Sequence, residues 1–132
     1  MKDKLLDTNC ILRFVLNDIP EQYQKVNSLI IDSIDSNLNL FILPETIIEI
    51  SYVLSKVYGI EKKIFIPELK TLLGITSICL VDSVIIKKTL DLFLVKNISI
   101  EDCYYIAHCI ENNLEFISFD KKALNIYNSL KS

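Results

Sequence analysis

The sequence predicts an α/β domain with a mostly parallel sheet, and three observations carry that expectation. Short apolar runs bounded by polar residues alternate with longer stretches of helical period, the pattern of strands joined by helical crossovers. Two glycines and three prolines in 132 residues are too little turn chemistry for a hairpin-rich sandwich, and the wrong composition for a disordered or collagen-like chain. A hydrophobic fraction of 51% beside 23% charged residues is enough for one sizeable core, so residues 1–132 read as a single domain.

Taken in order, strands are expected at 4–7, 38–43, 77–81 and 115–118. Pro20 opens a helix to about Ser36, with Tyr23, Val26, Leu29, Ile30 and Ile34 on its buried face. Pro44 opens the next, which ends at Gly59, a residue suited to the left-handed C′ position. A shorter helical stretch over 61–73 contains Pro67 and is expected to kink or break there, because proline lacks the amide and crowds the preceding turn. Ser83 is placed to cap a helix to about Lys96, and Ser99 another to about Asn113, with Asp102 at N3 spacing from Ser99. A last helix follows Asp120. No linker, internal repeat or low-complexity segment interrupts this order.

The four cysteines, Cys10, Cys79, Cys103 and Cys109, form no C-x-x-C pair, and the lone His108 completes no zinc set. They read as reduced, mostly buried thiols of a cytoplasmic protein. The start MKDKLLDTNC places acids where a signal peptide needs its apolar stretch, and no run reaches the ~18 apolar residues that span a bilayer. The net charge of −3 lacks the basic character of a typical high-pI nucleic-acid binder.

Four acids hold telling positions. Asp7 ends the first expected strand and Asp120 closely follows the last, so both fall at the carboxyl ends of strands, where open α/β sheets bind ligands. Asp102 sits in the first turn of its helix, near the positive end of the dipole. Glu49 lies among Ile47, Ile48, Ile50 and Val53, and Glu45, one turn earlier, competes for whatever Glu49 does. Singly each acid has an ordinary reading: a strand-end turn for Asp7, a capping-box acid for Asp102, an N-cap for Asp120, a solvated helix residue for Glu49. Together they imply more. Carboxylates ~4 Å apart repel by roughly 4 kcal/mol per pair at an effective dielectric near 20, so a cluster needs a cation. An all-oxygen donor set favours Mg²⁺ or Mn²⁺.

With these residues in view, the sequence resembles the PIN-domain ribonucleases, specifically the VapC-type toxins of toxin–antitoxin pairs. The likeness rests on Asp7-Thr8-Asn9 after an apolar strand, the internal acid of PETIIEISYVL, Asp102 in SIEDCYYIAHCIENN, and Ser118-Phe119-Asp120 after the last strand. The resemblance implies a three-layer α/β/α sandwich with a small, mostly parallel sheet. It implies Asp7 and Asp102 as principal metal ligands, with Glu49 and Asp120 completing the set directly or through water. Asn9 and Ser118 would orient carboxylates and water. The implied reaction is Mg²⁺- or Mn²⁺-dependent hydrolysis of RNA phosphodiester bonds, and the implied partners are an RNA substrate, a small cognate antitoxin and a second copy of the chain. Tyr52, Ile60 and Phe65, in an unusually apolar helical pair, are the residues expected at a protein interface.

Thr8 can serve through its backbone or hydroxyl, or only as a turn residue. Arg13, the only arginine, can reach RNA phosphate or form an ion pair, and His108 reads as a packing residue. Whether one or two metals act stays open at this level. Two rivals carry less. A haloacid-dehalogenase-like phosphohydrolase needs a second Asp where Asn9 stands, and a catalytically silent PIN-like binding module has no need of the full acid set. Setting the four acids aside leaves a nearly neutral body, so the acidic balance is compatible with an RNA substrate.

Overall fold

The computed structural model describes residues 2–131. The elements are β1 (Lys4–Leu5), α1 (Thr8–Leu16), α2 (Pro20–Asp35), β2 (Leu40–Ile42), α3 (Pro44–Tyr52), a π-helical turn (Val53–Val57), α4 (Lys62–Leu73), β3 (Ile78–Leu80), α5 (Ser83–Val95), α6 (Ile100–Asn112) and α7 (Lys121–Leu130). The expected α/β class is what the chain adopts. Residues 1–83 and 84–132 form two compact units.

The first unit holds a three-stranded, all-parallel sheet in the order β1-β2-β3, with Lys4 opposite Leu40 and Leu40 opposite Ile78. Parallel neighbours require long crossovers, and helices supply both: α1 and α2 between β1 and β2, α3 and α4 between β2 and β3. Pro20 and Pro44 stand at the starts of α2 and α3, where their missing amides cost no helical bond. Leu40, Ile42, Ile47, Ile50, Leu54 and Phe65 are fully buried. Among the described residues no helix is long and apolar enough to cross a membrane.

Several expectations need correction. A helix, α1, occupies Thr8–Leu16, where none was expected; Ile11 and Leu12 are its buried residues. On α2 the buried residues are Val26, Ile30 and Ser33, while Ile34 is half exposed. A serine is tolerated inside because its hydroxyl bonds the Ile30 carbonyl at 2.6 Å and lies 2.7 Å from the Ser77 hydroxyl. Helix α4 runs unbroken through Pro67, whose carbonyl accepts the Thr71 hydroxyl at 3.0 Å. Phe65 is buried, so the exposed apolar residues of this region are Tyr52, Val57, Tyr58 and Ile64. Gly59 does end the Pro44 segment, at φ 65°, a backbone conformation that a side chain disfavours. Before it, the ladder widens to the π-helical turn, with the Tyr58 amide on the Val53 carbonyl at 3.0 Å.

The second unit contains α5, α6 and α7. Ser83 is the first residue of α5 rather than its cap, following Asp82 at φ 55°. Ser99 caps α6 as expected, accepting the Asp102 amide at 3.1 Å, and Asn113 ends that helix at φ 55°. The strand expected at 115–118 is absent: the segment forms no ladder among the described residues. It keeps the alternation that suggested a strand. Phe116 and Ser118 are half-buried while Ile117 and Phe119 are exposed. What it lacks is a backbone partner, and alternation alone does not supply one. The core here is Ile106, Cys109, Ala123 and Tyr127, with Phe116 packed against it.

The correction at Phe65 is directly testable. Phe65→Ala is expected to lower the unfolding free energy by about 3–5 kcal/mol through a core cavity, and Tyr52→Ala by roughly 0.5 kcal/mol or less. Urea denaturation monitored by circular dichroism reads both.

Candidate active site

Asp7 lies just past β1 with an extended backbone (φ −84°, ψ 175°), and its carboxylate accepts the Cys10 amide at 2.9 Å, making it the N-cap of α1. The Cys10 amide bond holds the Asp7 carboxyl below the usual range; the Cys10 thiol and the Asn9 amide reinforce this, against a smaller opposing effect of burial. Burial in turn pushes the Cys10 thiol up, with Asp7 beside it adding to the rise. Thr8, the first residue of α1, donates its hydroxyl to Glu49 Oε2 on α3 at 2.9 Å. It is thus Glu49, not Glu45, that is hydrogen-bonded to the neighbour of Asp7.

A groove of about 270 Å³ opens beside Asp7 between α1 and α2, lined by Asn9, Cys10, Arg13, Gln22 and Lys25 among others. Arg13 is an ion-pair residue: its Nη1 lies 2.8 Å from Asp18 Oδ2, and its Nη2 reaches the Tyr58 hydroxyl at 3.4 Å. Its side chain is only 12% exposed, and its buried Nε has no hydrogen-bond partner. Sequence alone does not single out Lys25. It is one of many lysines, and only the packing of α2 beside α1 puts it in the groove with Asp7.

In the second unit, Asp102 is half-buried in the first turn of α6, with its amide on Ser99. Asp120 caps α7, accepting the Ala123 amide at 3.0 Å, and its own amide donates to the Ser118 hydroxyl at 3.0 Å. The contact of Ser118 is thus with the Asp120 backbone amide and not with its carboxylate. His108 packs edge-on against Tyr104, with ring centroids 4.6 Å apart. Asp7 and Glu49 belong to the first unit, Asp102 and Asp120 to the second. Among the described residues, no group of three or more His, Cys, Asp or Glu side chains is gathered in a metal-binding arrangement. Within the first unit the Asp7 carboxylate, held ionised chiefly by the Cys10 amide, is an oxygen donor of the kind hard divalent cations take.

Residues 4–128 match the PIN domain. The chain belongs to the PIN domain family. No curated protein and no solved structure gives a significant match. The PIN fold is a nuclease fold whose members generally use divalent metals. In this PIN domain the match contains all four acids together with Asn9 and Ser118.

The cap at Asp7 separates structure from charge. Asparagine caps a helix as well as aspartate does, so Asp7→Asn is expected to keep native stability within a few tenths of a kcal/mol, while Asp7→Ala loses about 1 kcal/mol. Because the folded carboxyl titrates below its unfolded value, its contribution is present above the unfolded pKa and lost as pH falls through the depressed folded one. Side-chain NMR titration is expected to give Asp7 a midpoint below that of an unstructured aspartate.

Proposed function

We propose that this PIN domain is a Mg²⁺- or Mn²⁺-dependent endoribonuclease acting as the toxin of a toxin–antitoxin pair. The observation that carries the reading is the PIN-domain match over residues 4–128, a span that includes Asp7, Glu49, Asp102 and Asp120. On this reading the two compact units are parts of one catalytic domain.

Asp7 and Asp102 would be the principal ligands, with Glu49 and Asp120 completing the set. A bound Mg²⁺ or Mn²⁺ would supply an acidified water and neutralise charge growing on the phosphoryl oxygens. The chain's own contribution is preparation. The Cys10 amide keeps Asp7 ionised, Thr8 fixes one oxygen of Glu49, and Ser118 holds the Asp120 backbone while Asp120 caps α7. Asn9 lines the groove beside Asp7. Lys25 brings a positive charge to the same groove and favours an anionic strand.

The exposed apolar residues Tyr52, Val57, Tyr58 and Ile64 are the surface we assign to protein contacts, with antitoxin and with a second copy of the chain. Replacing Tyr52 and Ile64 together by Asp is expected to leave the circular dichroism unchanged and to weaken self-association at least tenfold by light scattering. Unchanged self-association would remove this face from the dimer.

The central test is incubation of the purified chain with total RNA, with and without Mn²⁺ or Mg²⁺, followed by end mapping. Metal-dependent cleavage is expected from the wild type and loss of at least a hundredfold from Asp7→Asn or Asp102→Asn, the scale of removing one strong electrostatic interaction at a reacting centre. Undiminished cleavage by both variants overturns the assignment.

A further inference from the structure

Among the described residues, the most exposed large apolar side chain is Phe119, in the second unit. Phe119 is 103% exposed, as open as a phenylalanine in an extended peptide, and it directly precedes Asp120. Its backbone is nonetheless fixed on both sides. Three residues earlier, Phe116 packs edge-on against Tyr127, with centroids 5.8 Å apart, and the Tyr127 hydroxyl bonds the Leu114 carbonyl at 2.9 Å. On the other side the Ser118 hydroxyl takes the Asp120 amide and Asp120 takes the Ala123 amide, so a tight bend and a helix cap bracket the ring. Ile117, 78% exposed, lies outward in the same alternation.

Lys121 and Lys122 follow at once, both exposed, in the first turn of α7. That is the end of a helix where the backbone dipole opposes positive charge. Neither an outward aromatic nor a lysine pair at this position is explained by folding. The two coincide within four residues, and an aromatic face beside closely spaced cations is how proteins hold single-stranded nucleic acid: the ring stacks on a base while the cations take the backbone. Leu114 and Ile117 leave further apolar surface exposed in this segment, and it is the lysine pair beside the ring that favours an anionic strand over a protein face.

We propose that Phe119 is a stacking platform for an unpaired base of the RNA, with Lys121 and Lys122 engaging the adjoining phosphates, so that this bend positions the strand beside Asp120. The proposal rests on the nuclease reading above and adds to it one aromatic contact residue and two phosphate contacts. Because the bend is already fixed by its own hydrogen bonds, presenting the ring requires little further ordering when RNA binds.

The chain contains no tryptophan, which makes the test specific. Phe119→Trp creates a lone indole at the platform. Titrating the full-length variant with poly(A) in EDTA, which prevents hydrolysis, is expected to quench its emission saturably. Phe119→Ala is expected to weaken RNA binding roughly tenfold or more and to raise KM for cleavage with little change in kcat, while Phe119→Trp restores wild-type KM. Changing Lys121 and Lys122 to Gln should lower the salt dependence of binding by about 0.7 in log–log slope for each phosphate no longer neutralised. An unquenched indole, or an unchanged KM in Phe119→Ala while wild type still cleaves RNA, overturns the platform and leaves the nuclease reading standing. Unchanged RNA handling with weakened self-association in Phe119→Ala also overturns it, in favour of a protein-binding role for the ring. Absence of RNA cleavage by the wild type would instead count against the nuclease reading itself.

Discussion

The hydrogen bond from the Cys10 amide to the Asp7 carboxylate sets the geometry of the first unit's chemistry. With Asp7 still extended and its side chain already serving α1, the chain passes from strand to helix without a loop. Thr8 becomes the first helical residue, and from there its hydroxyl meets Glu49, 41 positions away, at 2.9 Å. The acid that ends β1 and the acid on α3 are thus linked through one residue. Without the cap, α1 would begin with an unsatisfied amide and no fixed register for Thr8. The same bond lowers the Asp7 pKa, so a structural hydrogen bond also keeps the side chain in the state a cation requires.

The second unit repeats the device. Asp120 is a cap whose carboxylate serves an amide of α7, and Asp102 sits in the first turn of α6, where the dipole favours negative charge. Each of the four acids has a local group that offsets its charge. Here backbone amides or helix dipoles offset three of them, and Glu49 has the Thr8 hydroxyl. Each acid is accommodated by its own neighbourhood within its own unit.

What is legible in the sequence follows from where the signals are local. The prolines opening α2 and α3, the serine cap of α6, the left-handed glycine at 59 and the aspartate before α7 are each decided within a turn of backbone, and each holds. Non-local matters are not legible in the same way. The segment around Ile117 has a strand's alternation without a strand's partner, since pairing depends on chain far away. Ser33 displaces Ile34 from the interior of α2 because Ser77, 44 positions on, satisfies its hydroxyl. Phe65 goes inside and Ile64 outside by one step of helical phase, which composition cannot resolve. Helix α1 is hidden because Asp7 reads as the end of a strand, although the same residue is also a strong start signal for a helix.

The dual use of the caps has a consequence for how such a site can change. A cap aspartate replaced by asparagine keeps the hydrogen bond to the helix and loses the charge, so a chain can shed its metal chemistry one residue at a time without losing its fold. Glu49 differs: its side chain begins no helix, and its bond to Thr8 joins two elements that are distant in sequence. Replacing Asp7 or Asp120 by asparagine therefore leaves the backbone cap available, whereas losing Glu49 loosens α1 from α3. A silent PIN-like module derived from this chain would be expected to keep Glu49 and to carry asparagine at 7 or 120. Aspartate at both positions keeps the cap and adds a negative charge that the helix dipoles of α1 and α7 favour.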